Sequence, residues 1–279
     1  MRIAHCQYEP WCGEFEHNLK RMEEGLARAE KDRVEIVSFP ECFLTGYPNT
    51  EEGARKGAFS VDSPEMMRVL DLTSRFDPTV IVGFNETRGD DLYNTALVAH
   101  RGHLLGTYSK CAAYQRFHKQ GRTFPVFERG GVKFGVIICA DGGYIEPARI
   151  LALKGARIIF APHFNSIGDK GLIAHFMKVR SDHTARAIEN SVWFVRGNNV
   201  VLDPAKSGIK GEVGIGYGDS YIMDPGGEIL VKSRRHVEDF IMADVDTSRG
   251  PDMSFGLPKS AWSYREFGKF LDEAAKASP

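Results

Sequence analysis

Apolar positions along this chain follow two rhythms. Short, nearly continuous runs at 34–40, 79–84, 132–139, 157–162 and 192–196 are rich in Val, Ile and Phe and bounded by turn-forming residues. Runs of that length and composition predict strands buried on both faces. Elsewhere apolar residues recur three and four apart: Leu19, Met22, Leu26 and Ala29 within 16–31, and Met66, Val69, Leu70 and Thr73 within 64–76. That spacing sets them on one face of a helix. Residues 2–9 alternate loosely and predict a first strand; 92–100 and 103–110 predict a hairpin about Arg101-Gly102. A helix is expected from Glu146 to a stop at Gly155, with Pro147 in its first turn, and a longer one over 172–189. Residues 220–223 and 228–232 flank the turn Asp224-Pro-Gly-Gly227, and 240–245 closes the strand set. Strands and helices alternate through two thirds of the chain, after which strands dominate. The pattern predicts one α/β domain over residues 1–250 with ten or so strands, in one large mixed sheet or two packed sheets. The tail, 251–279, contains Pro251, Pro258 and an amphipathic segment through Tyr264, Phe267, Leu271 and Ala274. It is expected to be an arm that packs on a partner subunit.

Composition narrows the classes. Of 279 residues, 42% are hydrophobic and 26% charged, enough apolar material for an ordinary core. A formal net charge of -1 argues against nucleic acid or an anionic membrane as a main partner, since both call for a basic patch. No apolar run approaches the ~18 residues of a membrane span. The opening Met-Arg-Ile-Ala-His-Cys-Gln enters a strand pattern directly and lacks the layout of a signal peptide. Cys6, Cys12, Cys42, Cys111 and Cys139 have neither zinc spacing nor a disulfide framework, which fits reduced thiols in a cytoplasm.

Candidate chemistry centres on Val132-Lys-Phe-Gly-Val-Ile-Ile-Cys139-Ala-Asp-Gly-Gly-Tyr144. An apolar strand ends on Cys139, a turn follows, and a helix starts soon after. A thiol on such a corner is held by a rigid sheet and lies close to backbone N–H donors. Glu41 and Lys110 also stand at the ends of apolar strands, where sites in α/β sheets gather. The three types fit one mechanism: a carboxylate accepts the thiol proton, and an ammonium stabilises the thiolate and the oxyanion formed on attack. Each also has an ordinary reading. The Cys could be a small buried hydrophobe, the Glu a salt-bridged strand end, the Lys a solvated loop residue. Spacing alone does not bring them together.

Phe39-Pro-Glu41-Cys-Phe-Leu-Thr-Gly46-Tyr47, Tyr108-Ser-Lys110 and Gly135-Val-Ile-Ile-Cys139-Ala-Asp141 resemble the three catalytic blocks of the nitrilase superfamily, the carbon–nitrogen hydrolases. Three further stretches resemble later family blocks in the same order: Glu146 to Ala156, Ala185 to Asn198 and Ser220 to Leu230. Together they cover roughly residues 1–246. The resemblance implies a four-layer αββα sandwich of two mixed β-sheets. It implies Glu41 as general base, Lys110 as oxyanion-stabilising cation, Cys139 as nucleophile and the Ala140 N–H as a second oxyanion donor. Substrate contacts are expected from His163 and Asn165. The family usually carries a second Glu after the Lys. Here no acid lies between Lys110 and Phe127, and Tyr114, Gln115 or His118 falls near that place. Ala140 stands where nitrilases tend to have Trp and amidases Tyr, and the helix opens Glu-Pro rather than Pro-Glu. Asp141 is expected to serve the turn; His175 and His183 are read as surface residues of a long helix; Cys42 should point away from Glu41 by alternation.

The resemblance thus implies a thiol hydrolase for a small linear amide or N-carbamoyl compound, working without cofactor or metal, as a homodimer or higher homo-oligomer. Two alternatives stand beside it: a nitrilase, and a catalytically weakened homologue acting as a binding or scaffold subunit.

Overall fold

Successive residues of the buried strands feed different cores. In the computed structural model, which describes residues 1–248 and 264–277, Ile3, Ile36, Ile81, Ala96 and Val98 point into one apolar cluster, while their neighbours Ala4, Val37, Val80, Val82 and Leu97 point into another. This two-sided burial explains why the strands read as continuous apolar runs.

The elements are β1 (Arg2–Gln7), α1 (Phe15–Lys31), β2 (Ile36–Ser38), α2 (Glu51–Gly57), α3 (Pro64–Ser74), β3 (Thr79–Arg88), β4 (Asp91–His100), β5 (His103–Ser109), β6 (Val126–Arg129), β7 (Val132–Val136), α4 (Ile145–Leu153), β8 (Ile158–Pro162), α5 (Leu172–Asn190), β9 (Trp193–Gly197), β10 (Tyr221–Met223), β11 (Ile229–Lys232), β12 (Asp239–Asp244) and α6 (Tyr264–Ala277). One six-stranded sheet has the order β12-β1-β2-β3-β4-β5, the other β11-β10-β9-β8-β7-β6. β1, β2 and β3 are parallel, as are β7, β8 and β9, with antiparallel strands outside them. The sheets face each other across the cluster that holds Ile3, Tyr108, Phe134, Phe160 and Val195. α1 and α3 cover the first sheet through Met22, Leu26, Met66 and Val69; α4 and α5 cover the second through Ala148, Leu151 and Ala187. The architecture is the expected αββα sandwich of two mixed sheets.

Three details depart from the sequence reading. β7 leaves the ladder at Val136, and Cys139–Gly143 forms a single 3-10 turn. β6 is an unanticipated short partner of β7, joined through Gly130-Gly131, both at positive φ. α2 is also unanticipated, capped by the Thr50 hydroxyl accepting from Gly53 N. Of the expected arm, α6 lies within the described residues, whereas 251–263 do not.

Candidate active site

Topology gathers the ends of the site-bearing strands. β5 runs antiparallel to β4, and β4 to β3, so β5 ends on the same edge as β2. The turn after β2 carries Glu41, the end of β5 gives way to Lys110, and the turn after β7 carries Cys139. The three side chains meet between the sheets.

Glu41 is wholly buried. Its Oε1 accepts from Lys110 Nζ at 2.7 Å and from Asn94 Nδ2 at 2.7 Å; its Oε2 accepts from the Phe164 backbone N at 2.7 Å. The turn that holds it crosses β3 at Gly83. A Cβ at that position would lie 2.3 Å from Cys42 N and 3.0 Å from the Glu41 carbonyl carbon, so no side chain fits.

Cys139 sits at φ +48, left-handed backbone that a non-glycine residue adopts at a cost of roughly 1–2 kcal/mol. Asp141 holds this bend. Its Oδ2 accepts from Ile138 N at 2.9 Å and from the Tyr108 hydroxyl at 2.7 Å; its Oδ1 accepts from Ala112 N at 2.7 Å and the Cys111 thiol at 3.2 Å. One buried carboxylate thereby locks the turn to the strand and loop on either side of Lys110. This is the structural role expected for Asp141.

Burial first, then the charge of the neighbouring Glu41, pushes the Cys139 thiol up to about 12. Burial works against the Lys110 ammonium, but Cys139 and Glu41 hold it well above the ordinary lysine range. The resting arrangement is therefore a neutral thiol beside a buried ion pair.

A cavity of ≈ 690 Å³ opens onto Lys110 and Cys139. Ala140, Tyr114, Gln115, His163 and Asn165 line it as well, Tyr114 at the rim with 76% of its surface exposed. His118 does not line it. Its ring is buried, with Nε2 2.9 Å from Asn85 Oδ1. The Asn85 amide group donates to Thr45 Oγ1 and Gly46 O, so its oxygen is the acceptor and His118 carries its proton on Nε2. Burial, then Lys110, lowers His118 to about 3, so it is neutral. No acid from the loop after Lys110 reaches the ion pair, whose carboxylate partner among the described residues is Glu41.

His183, read as a surface residue, is in fact buried and lines the cavity, because its Nδ1 finds the Tyr221 hydroxyl at 2.7 Å on β10. His175 lines the cavity too and is half-buried. Cys42 does not line the cavity, but it sits in a turn at φ +49 where strand alternation does not apply, and its sulfur lies 3.4 Å from Oδ1 of Asn94, whose Nδ2 donates to Glu41. The sequence reading missed Asn94, Tyr47 and Phe164 as parts of the site. Asn94 had a signal: a polar residue inside the apolar run of β4. Phe164 contributes a backbone N–H, which no side-chain pattern encodes. Among the described residues no three His, Cys, Asp or Glu side chains gather as a metal site would require, and no helix is long and apolar enough to cross a membrane.

The sequence profile of the carbon-nitrogen hydrolase family matches residues 2–251. A glutamine-dependent NAD(+) synthetase of Thermotoga maritima is 28% identical over 274 residues, which is 93% of this chain but only 44% of the synthetase. A nitrilase of Pyrococcus abyssi is 30% identical over 252 residues, covering 88% of this chain and 90% of that protein. An N-carbamoylputrescine amidase of Solanum tuberosum is 28% identical over 254 residues, covering 83% and 82%. Among solved structures, a nitrilase-superfamily amidase of Nesterenkonia superposes with a TM-score of 0.74 at 21% identity, covering 91% of this chain and 92% of that one.

Proposed function

The chain belongs to the carbon-nitrogen hydrolase family of the nitrilase superfamily, and from that premise we propose that it cleaves the C–N bond of a small linear amide or N-carbamoyl compound through a Cys139 thioester. The observation that carries this reading is the buried Glu41–Lys110 pair within electrostatic reach of the Cys139 thiol, with Lys110 and Cys139 lining one cavity.

The chemistry follows from the charges. A thiol held near 12 is not a resting thiolate, so its proton passes to Glu41 as sulfur attacks the carbonyl carbon. The oxyanion forms beside the Lys110 ammonium and the Ala140 backbone N–H. Glu41 returns the proton to the leaving nitrogen, and ammonia or an amine departs. A water activated by Glu41 then attacks the thioester, and Cys139 recovers its proton. Asn94 and the Phe164 N–H keep Glu41 oriented throughout.

The test is ammonia release from panels of amides, ureides and nitriles, with Cys139→Ala as control. Turnover of amides or ureides that vanishes in the variant is expected. Turnover confined to nitriles would support the nitrilase reading. No turnover on any panel, with a Cys139 unreactive toward iodoacetamide, would support a scaffold subunit. Activity that survives Cys139→Ala would overturn the mechanism.

A further inference from the structure

Three imidazoles stand on one wall of the cavity, each with Nδ1 already engaged: His163 to Ala161 O at 2.7 Å, His183 to the Tyr221 hydroxyl at 2.7 Å, and His175 to the Tyr217 hydroxyl at 3.2 Å. Each has its Nε2 without a partner among the described residues. For two of them the hydrogen-bond chain fixes which nitrogen bears the proton. Ala161 O can only accept, so neutral His163 is protonated on Nδ1 and presents a lone pair at Nε2. The opposite holds for His175. Arg196 Nη2 can only donate to the Tyr217 oxygen, at 2.9 Å, and His175 Nδ1 is the one group beside that hydroxyl among the described residues that can accept, so the phenolic hydrogen goes to it. Neutral His175 therefore carries its proton on Nε2 and is a donor. Its ring is neutral because burial, then Arg196, lowers it to about 4.

The charge behind this wall is one-sided. Arg196 is 99% buried in effect, at 1% exposure, and all its partners are neutral: Gly218 O, Asp219 O, Asn165 Oδ1 and the Tyr217 hydroxyl. The nearby Asp219 carboxylate is shared by Arg180 at 2.8 Å, Arg235 at 3.0 Å and Lys232 at 3.8 Å. Three cations share that carboxylate, Arg235 and Lys232 with much of their side chains in solvent, while Arg196 has no carboxylate of its own. At the cavity itself, Lys178 and Asp182 neutralise each other at 2.6 Å, and Glu212 is exposed to solvent at the rim. A cation buried among neutral partners favours an anion within reach of its field.

We propose that His175 is a specificity residue, donating from Nε2 through the Arg196–Tyr217 relay to a carboxylate on the far end of the substrate, so that the cavity selects amides or ureides bearing an acidic group. This rests on the hydrolase reading for turnover, though not for binding.

The experiment measures binding to the Cys139→Ala protein by calorimetry, and turnover by the unaltered protein, with three matched probes: glutaramate, its methyl ester, and 4-aminobutanamide. A charge-assisted hydrogen bond predicts that glutaramate binds about tenfold or more tightly than the ester, and that the cationic amide binds weakest. Tyr217→Phe on the Cys139→Ala background should cut that preference to about twofold or less, and His175→Leu likewise, whereas His175→Gln, which keeps a donor, should retain part of it. Equal binding of glutaramate and ester, or preferred binding of the amine, overturns the proposal. So does a preference that Tyr217→Phe leaves intact in a variant with unchanged thermal midpoint. Selective binding without turnover would instead overturn the hydrolase reading and leave this one standing.

Discussion

At the scale of single residues, the site is defined by what cannot be removed alone. Lys110 and Glu41 are both buried, 2.7 Å apart. Replacing one partner strands the other's charge in the interior, a cost of about 3–5 kcal/mol. Glu41→Gln should therefore lower both stability and activity, the latter by at least about a hundredfold if Glu41 is the base. Glu41→Gln with Lys110→Met should recover most of the stability and none of the activity. Paired urea melts and rate measurements check this, and a stable, active Glu41→Gln protein would refute it. Cys139 gives a second prediction. Burial holds its thiol near 12, and only the thiolate alkylates. Its reaction with iodoacetamide should rise about tenfold per pH unit from pH 7 to 9 without a plateau. Peptide mass spectrometry over a pH series measures it, and a plateau below pH 8 would show a resting thiolate instead.

At the scale of elements, the site depends on backbones that cross closely. Gly83 lets the Glu41 turn lie on β3; a Cβ there meets Cys42 N at 2.3 Å, and backbone cannot rotate aside as a side chain can. Gly83→Ala should cost about 1–3 kcal/mol by overpacking and depress kcat by shifting Glu41, while Gly168→Ala, where a Cβ meets nothing within 4 Å, should do neither. Thermal melts and kinetics of the two proteins distinguish them. Such crossings mark the boundary of what the chain made legible. Strands buried on both faces were readable because each is an apolar run, and the helices covering them because their apolar residues recur at helical spacing. α2 was not, since Ala54 is its one buried residue and the rest are four charged residues and two glycines. β6 is short and half-exposed, although Gly130-Gly131, with Val126 and Phe127 shortly before it and Val132 and Phe134 after it, is a hairpin signal that could have been used. Glu41, Lys110 and Cys139 were visible as strand ends, but their meeting depends on β5 running alongside β2 in direction and on two sheets facing each other. His183 was misread because its partner, Tyr221, is 38 residues away on another element.

At the scale of the whole molecule, the expected homo-oligomer remains a proposal with a physical counterpart. Ile173 and Met177 on α5 are 78% and 57% exposed, and Tyr144 and Ile145 before and at the start of α4 are 57% and 53% exposed. An apolar face of this kind suits a second copy. Light scattering should give a multiple of 31.1 kDa, reduced to the single-chain mass by Ile173→Glu, and a single-chain mass for the unaltered protein refutes it. The interior makes a stronger prediction about acid. His5 and His118 are lowered to about 3, and His163 and His183 well below the ordinary 6.5, in each case by burial first. A base whose pKa falls on folding contributes stability that is complete above its unfolded value and is lost as pH drops toward its folded value. The loss should therefore begin just below pH 6.5, where the unfolded chain takes up protons that the folded one refuses. By pH 5.5 His5 and His118 each remove about 1.4 kcal/mol, and His163 and His183 act in the same direction, against the 5–15 kcal/mol that stabilises an ordinary domain. Urea midpoints should be flat between pH 7 and 8 and fall steeply from pH 6 to 5. His118→Gln, which removes one such imidazole at a site still able to donate to Asn85, should flatten that fall by about 1.4 kcal/mol per pH unit. An unchanged acid slope in that variant would mean that His118 takes up a proton in the folded state, and that the pair of Lys110 and Glu41 beside it is not sealed from charge.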